Sequence, residues 1–184
     1  MLLEELKSKI PKRKRSIENF FNSCMERKSF VKTDSQEYVL HLEKSKHDLN
    51  RALKEFEDKC FDWTIIKAIN NPTTPHPEFL PQTYYAVHHA ANALLIKKQG
   101  MFSKNHICLL VALKYLNLIP EEFYQKLREI HSKFSDFSAF EITYSLRKIS
   151  QYSVAKWKEL TENDTKAILL FAKRFVAFVE GEVT

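Results

Sequence analysis

The sequence predicts an all-α fold: an antiparallel up-and-down bundle of four to five main helices behind an N-terminal helical extension. Three observations carry this. Gly occurs only twice, at Gly100 and Gly181, whereas sheet proteins spend Gly on tight turns and bulges. Four of the six Pro crowd into Pro72–Pro81, so the rest of the chain holds almost nothing that interrupts a helix. Apolar residues recur at helical spacing through most of what remains. A length of 184 residues with 44% hydrophobic content suits one domain with a filled core.

Residues 2–10 are expected to form a short amphipathic helix that ends near Pro11. Lys12-Arg13-Lys14-Arg15 follows as a compact basic cluster, and Ser16 is the expected N-cap of a helix carrying Ile17, Phe20, Phe21 and Cys24. The basic run reads either as a phosphate-binding element or as a solvated hinge, and the hinge is favoured because charge runs are usually solvated. Residues 1–33 hold nine Lys/Arg against four Asp/Glu, while residues 34–184 hold 20 against 19. The excess of +6 is therefore mainly a property of the N-terminal arm. Residues 1–33 are read as a basic extension and 34–184 as the bundle.

From Tyr38 a long helix is expected. Leu42, Leu49, Phe56 and Trp63 recur every seven residues, with Leu53 and Cys60 between them, and Glu43, Lys44, Lys46, Asp48 and Lys54 mostly outside the stripe. A break near Phe61 and a short segment from Trp63 to Ile69 complete it. The Pro-rich stretch at 70–82 reads as an exposed loop. Thr83 is the expected N-cap of a helix from Tyr84 to Lys98 that Gly100 ends, and Ser103 the cap of one reaching about Leu116. Pro120, Glu121 and Glu122 suit a helix start, with Phe123, Leu127, Ile130 and Phe134 on its buried face. A helix from about Ala139 to Gln151 follows. The last helix is expected to start at Thr161–Asp164, to carry Ala167, Leu170, Phe171, Phe175, Phe178 and Val179, and to stop at Gly181.

Several function classes find no support. Cys24, Cys60 and Cys108 are widely spaced with no CxxC or CxxH pair, so neither a disulfide framework nor a structural zinc site is expected, and the cytoplasm is the expected location. No signal peptide is evident and no apolar run approaches the roughly 20 residues of a membrane span. Two isolated Gly cannot make a phosphate-binding glycine loop, and GxSxG, HExxH and Asp-rich metal motifs are absent. No cofactor is expected.

Three stretches carry a family resemblance: Asp62-Trp63-Thr64-Ile65-Ile66-Lys67-Ala68, then Tyr84-Tyr85-Ala86-Val87-His88-His89-Ala90-Ala91-Asn92-Ala93-Leu94-Leu95, then Arg147-Lys148-Ile149-Ser150-Gln151-Tyr152 followed by Leu160–Asp164 and a helix. In this order they resemble HEPN domains, whose second helix often reads YYAxxHAAxALL; Ser103-Lys104-Asn105-His106 resembles the opening of the third. The resemblance covers residues 38–180 in outline. It implies a four- or five-helix bundle that commonly dimerises. Many members cleave RNA with an Arg and a His separated by four to six residues. Others are non-catalytic partners, often of a minimal nucleotidyltransferase, or bind nucleotides.

In such a pair His moves protons near neutral pH and Arg holds the phosphate. None of the seven Arg here has a His five to seven residues downstream; after Arg147 those positions hold Tyr152, Ser153 and Val154. The loop between Ala68 and Tyr84 is another departure from the family. The expected function is therefore non-catalytic binding of nucleotide, RNA or a partner protein, such as a nucleotidyltransferase in a toxin–antitoxin setting, by a homodimer. Arg147 and Tyr152 are the expected ligand contacts, the first for phosphate and the second for stacking on a base, with Tyr85 and His89 nearby. An Arg147–carboxylate bond that supports packing explains Arg147 equally well. On a helix Tyr85 shares a face with His89, and His88 with Asn92; a structural role for these histidines is favoured over a ligand pocket. The alternatives are an atypical metal-independent ribonuclease, drawing a proton-transferring His89 or His131 to Arg147, and a structural interaction module that docks through the Pro-rich loop.

Overall fold

A helix that is apolar on nearly every side must be surrounded by others, and the chain has one at its centre. The computed structural model of the protein describes residues 10–57, 79–130 and 162–184. In chain order their helices are α1 (Lys14–Glu26), α2 (Tyr38–Glu57), α3 (Phe79–Gln99), α4 (His106–Tyr115), α5 (described over 121–130) and α6 (Glu162–Val183). Two three-residue strands, β1 (Phe30–Lys32) and β2 (Met101–Ser103), pair antiparallel with Val31 opposite Phe102. The protein is an all-α helical bundle carrying this one small ribbon.

The central element is α3. Ala90, Ala93, Leu94, Leu95 and Ile96 on it have no exposed surface, and each large aliphatic chain so buried contributes about 1.5–3 kcal/mol. α2 packs against it antiparallel: Ser45 Oγ donates to the Ala86 carbonyl at 2.7 Å, and further along the Lys97 ammonium lies 4.3 Å from the centre of the Tyr38 ring. α6 completes the layer, with Lys98 of α3 and Lys46 of α2 in ion pairs to Glu182 and Glu180 near its end. Phe123 of α5 sits edge-on to Phe175 of α6 at 5.5 Å between ring centres, and Phe175 is fully buried.

α2 starts at Tyr38 as expected, and Leu42 and Leu49 are buried. Asp48 departs from expectation. It is buried at 4% exposure and held by the Lys44 ammonium at 2.7 and 2.9 Å, which satisfies the carboxylate that burial would otherwise leave bare. Gly100 ends α3 at φ +62°, where its NH donates to the Ile96 carbonyl.

Five helix ends are corrected. α1 begins at Lys14 with Arg13 as an N-cap that makes no side-chain cap bond, so Lys14 and Arg15 open the first turn and Ser16 is inside it. α3 begins at Phe79, which places Pro81 in its first turn, where no backbone NH is needed; Thr83 is then a buried helical residue, and the Pro-rich loop cannot extend to residue 82. Ser103 belongs to β2, and Asn105 caps α4 by accepting from the Cys108 NH at 3.0 Å. Pro120 precedes α5 and accepts from the Tyr124 NH. α6 runs through Gly181 to Val183, and Leu170 on it is 58% exposed. The expected elements at 2–9, 58–78 and 131–161 lie outside the described residues.

The cysteine expectation is also overturned. Cys24 of α1 and Cys108 of α4 form a disulfide with their Cα atoms 5.8 Å apart. Both are buried, where α1 packs on α4. The bond fastens the basic extension to the bundle and removes the cysteine argument for a reducing compartment. No helix among the described residues is long and apolar enough to cross a membrane.

Candidate functional site

The residues of α3 between Tyr84 and Leu95 meet side chains from α2 and α4 and the backbone of β2. His88 and Asn92 lie one turn apart, and Asn92 Nδ2 is 3.2 Å from His88 Nε2. The Asn92 amide is oriented by β2: its Oδ1 accepts from the Ser103 NH at 2.9 Å, and its Nδ2 lies 3.4 Å from the Ser103 carbonyl. With Oδ1 taken by an NH, Nδ2 has to be the donor toward His88, so His88 Nε2 has to be the acceptor. This fixes His88 as a neutral imidazole with its proton on Nδ1.

The surroundings favour the same state. Burial first, and then the neighbouring imidazoles of His106, His89 and His41, hold the His88 pKa well below 6.5. The His106 ring lies 4.1 Å from the His88 ring, centre to centre, and Tyr84 Oη is 2.8 Å from His106 Nδ1. Beside His88 on α3, with ring centres 5.8 Å apart, His89 places its Nδ1 3.4 Å from Nδ1 of His41 on α2. That contact works only when one ring donates and the other accepts, so at least one of the two is neutral. Burial lowers the His41 pKa, and Glu37 in the turn before α2 opposes the shift.

Four histidines from α2, α3 and α4 thus form one cluster. Sequence reading had His88–Asn92 as neighbours, and the structure joins them. It missed that His41 and His106 converge here, because only the packing of α2 and α4 on α3 brings them in. Tyr85 and His89 sit one turn apart on α3, both half-buried, Tyr85 against Tyr84 with ring centres 6.0 Å apart. Arg147, Tyr152 and His131 lie outside the described residues, so the placement of Arg147 and Tyr152 beside Tyr85 and His89 stays an expectation.

A cavity of about 40 Å³ opens beside the cluster, with Tyr84, His88 and His106 at its polar edge and Val87, Leu109 and Leu127 among its apolar walls. It has room for a few water molecules and not for a nucleobase. Among the described residues no group of three His, Cys, Asp or Glu is arranged to hold a metal ion. The arrangement can pass a proton or orient a polar group at the cavity mouth; its hydrogen bonds first of all lock α3, α4 and β2 together.

Comparison of the chain with protein-family models, with curated proteins and with solved structures gives no match.

Proposed function

We propose that the chain is a divergent HEPN-like protein that acts by binding, with nucleotide or RNA as the ligand class and a partner protein such as a nucleotidyltransferase, in a toxin–antitoxin setting, as the assembly context. The observation that carries this reading is the motif-bearing segment Tyr84–Leu95 combined with the lack, in the whole sequence, of any Arg followed by His at the ribonuclease spacing. Arg147 and Tyr152 contact the ligand, with Tyr85 and His89 alongside, in a homodimer. Arg147 supplies a fixed charge and a forked donor set for phosphate, and the tyrosines supply stacking faces.

The test is a paired assay of RNA binding and cleavage by the purified full chain. Wild type is expected to bind without cutting, and Arg147→Ala and Tyr152→Ala each to weaken binding by about tenfold or more. Unchanged binding in both variants removes the site assignment.

A second reading, a metal-independent ribonuclease, draws on the neutral imidazoles about His88 and His89, since a neutral imidazole can accept a proton. It requires cleavage that survives a metal chelator and is lost in both Arg147→Ala and His89→Ala. Cleavage unaffected by either change excludes it.

A further inference from the structure

A second opening lies on the other side of α5. Leu127 and Ile130 of that helix face the cavity beside His88, whereas Arg128 lines a cleft of about 430 Å³ together with Lys12, Arg13, Ser16 and Phe20 at the start of α1. Among the described residues no carboxylate lines this cleft.

The chain holds these charges together by design of the backbone. Tyr124 Oη donates to the Pro11 carbonyl at 2.7 Å, and Arg128 Nη2 to the Ile10 carbonyl at 3.3 Å. Burial pushes the Tyr124 pKa up to about 12, so this donor keeps its proton at any physiological pH. The segment before α1 is thereby fixed against α5, with Lys12 and Arg13 beside Arg128. Arg128 Nη1 donates to Gln125 Oε1 at 2.7 Å, and its buried Nε has no hydrogen-bond partner among the described residues. Among the described residues Lys12, Arg13, Lys14 and Arg15 join no ion pair. The nearby carboxylate of Glu121 is engaged by Lys114 and Gln125.

α1 adds to the positive field. It has thirteen residues, no side-chain cap and no acidic residue in its first turn, which instead holds Lys14 and Arg15. A helix start carries about half a positive charge, so cations there are misplaced unless an anion joins them. Three cations thus line one cleft beside a helix start.

We infer that this cleft binds the phosphate group of a nucleotide. Lys12, Arg13 and Arg128 neutralise the phosphate, and the Ser16 hydroxyl and the open NH groups of α1 supply donors. The volume exceeds what a bare phosphate fills and falls in the range of small-ligand sites; Phe20 offers the apolar wall for the base or sugar. This site shares no residue with the one about α3 and does not depend on the reading proposed for it. A free nucleotide and the phosphorylated end of an RNA strand present the same group.

The experiment titrates the full chain with adenosine 5′-monophosphate, adenosine, and single-stranded RNA of about ten nucleotides with and without a 5′-phosphate. The monophosphate or the 5′-phosphorylated RNA is expected to bind, adenosine and the unphosphorylated RNA to bind at least about tenfold more weakly, and added salt to weaken binding. The stronger of the two phosphorylated probes names the source. The double variant Lys12→Glu, Arg13→Glu changes two exposed side chains, so the fold is retained, and it is expected to lose about tenfold or more in affinity. Arg128→Gln is expected to act in the same direction. Adenosine binding as well as the monophosphate, full affinity in the double variant, or no binding of either phosphorylated probe overturns the assignment.

Discussion

The rings of His88 and His106 lie 4.1 Å apart between centres, and His88 is not free to become charged at little cost. A proton on His88 Nε2 would confront the Asn92 NH2 that now donates to it. A proton shared by the cluster would also place an imidazolium among three further histidines.

This predicts acid sensitivity. The folded-state pKa of His88 is depressed below 6.5, chiefly by burial and then by His106, His89 and His41; that of His41 is depressed too, by burial against the opposing pull of Glu37. The unfolded chain therefore binds more protons below about pH 6.5, and stability that is present above that pH is lost as the pH falls. The slope approaches about 1.4 kcal/mol per pH unit for each histidine that stays neutral in the fold. Thermal melts between about pH 7.5 and 5 measure it. His88→Gln, which keeps an acceptor for Asn92 and cannot titrate, is expected to flatten the profile. An equally steep profile in the variant would show that His88 is not a source of the acid sensitivity.

Asn92 is predicted to matter more for stability than its small size suggests. It is 1% exposed, and its amide serves the Ser103 NH, the Ser103 carbonyl and His88 together. Asn92→Ala leaves a buried backbone NH unpaired, which costs about 1–3 kcal/mol. Urea denaturation should show the midpoint falling with the slope unchanged. It should also raise amide exchange at Ser103, whose NH then has no acceptor in β2's interior side.

The Cys24–Cys108 bond closes a loop with a sequence separation of 84 residues. On chain entropy alone such a closure stabilises by about 4.5 kcal/mol, an upper figure because strain and residual structure reduce it. Reductant, or the pair Cys24→Ala and Cys108→Ala, is expected to lower the urea midpoint by a comparable free energy. With three cysteines in the chain, thiol titration of the denatured, unreduced monomer should find one free thiol. Three free thiols in protein purified without reductant would show that the bond does not form.

What could be read in advance follows the range of the interaction. The start of α2, the stop at Gly100 and the His88–Asn92 contact depend on residues within a turn or two of each other, and each is legible as spacing. Ser103 and Asn105 are both plausible caps for α4, and the choice falls to Asn105 because Ser103 lies in β2 opposite Phe30, with its NH and carbonyl turned to Asn92 of α3. Pro81 looks like a helix breaker until its place in a first turn is known. The disulfide and the meeting of His41 with His89 need α1 and α2 to be docked, and nothing local to those residues announces it. The cleft at Arg128 is a middle case: the basic run is plain in the sequence, while its partner on α5 is not.

The two glycines are predicted to respond with opposite sign to the same substitution. At Gly100 an added Cβ has space, since the nearest atom is the Thr33 carbonyl oxygen at 3.8 Å, but the backbone sits at φ +62°. An L side chain is strained there, so Gly100→Ala should destabilise by about 1–2 kcal/mol. Gly181 lies within α6, and an added Cβ meets nothing within 4 Å. There Ala removes freedom from the unfolded chain and favours the helix, so Gly181→Ala should stabilise by up to about 1 kcal/mol. Paired denaturation curves decide it: two shifts in the same direction would mean that either the left-handed stop after α3 or the continuation of α6 through residue 181 is wrong.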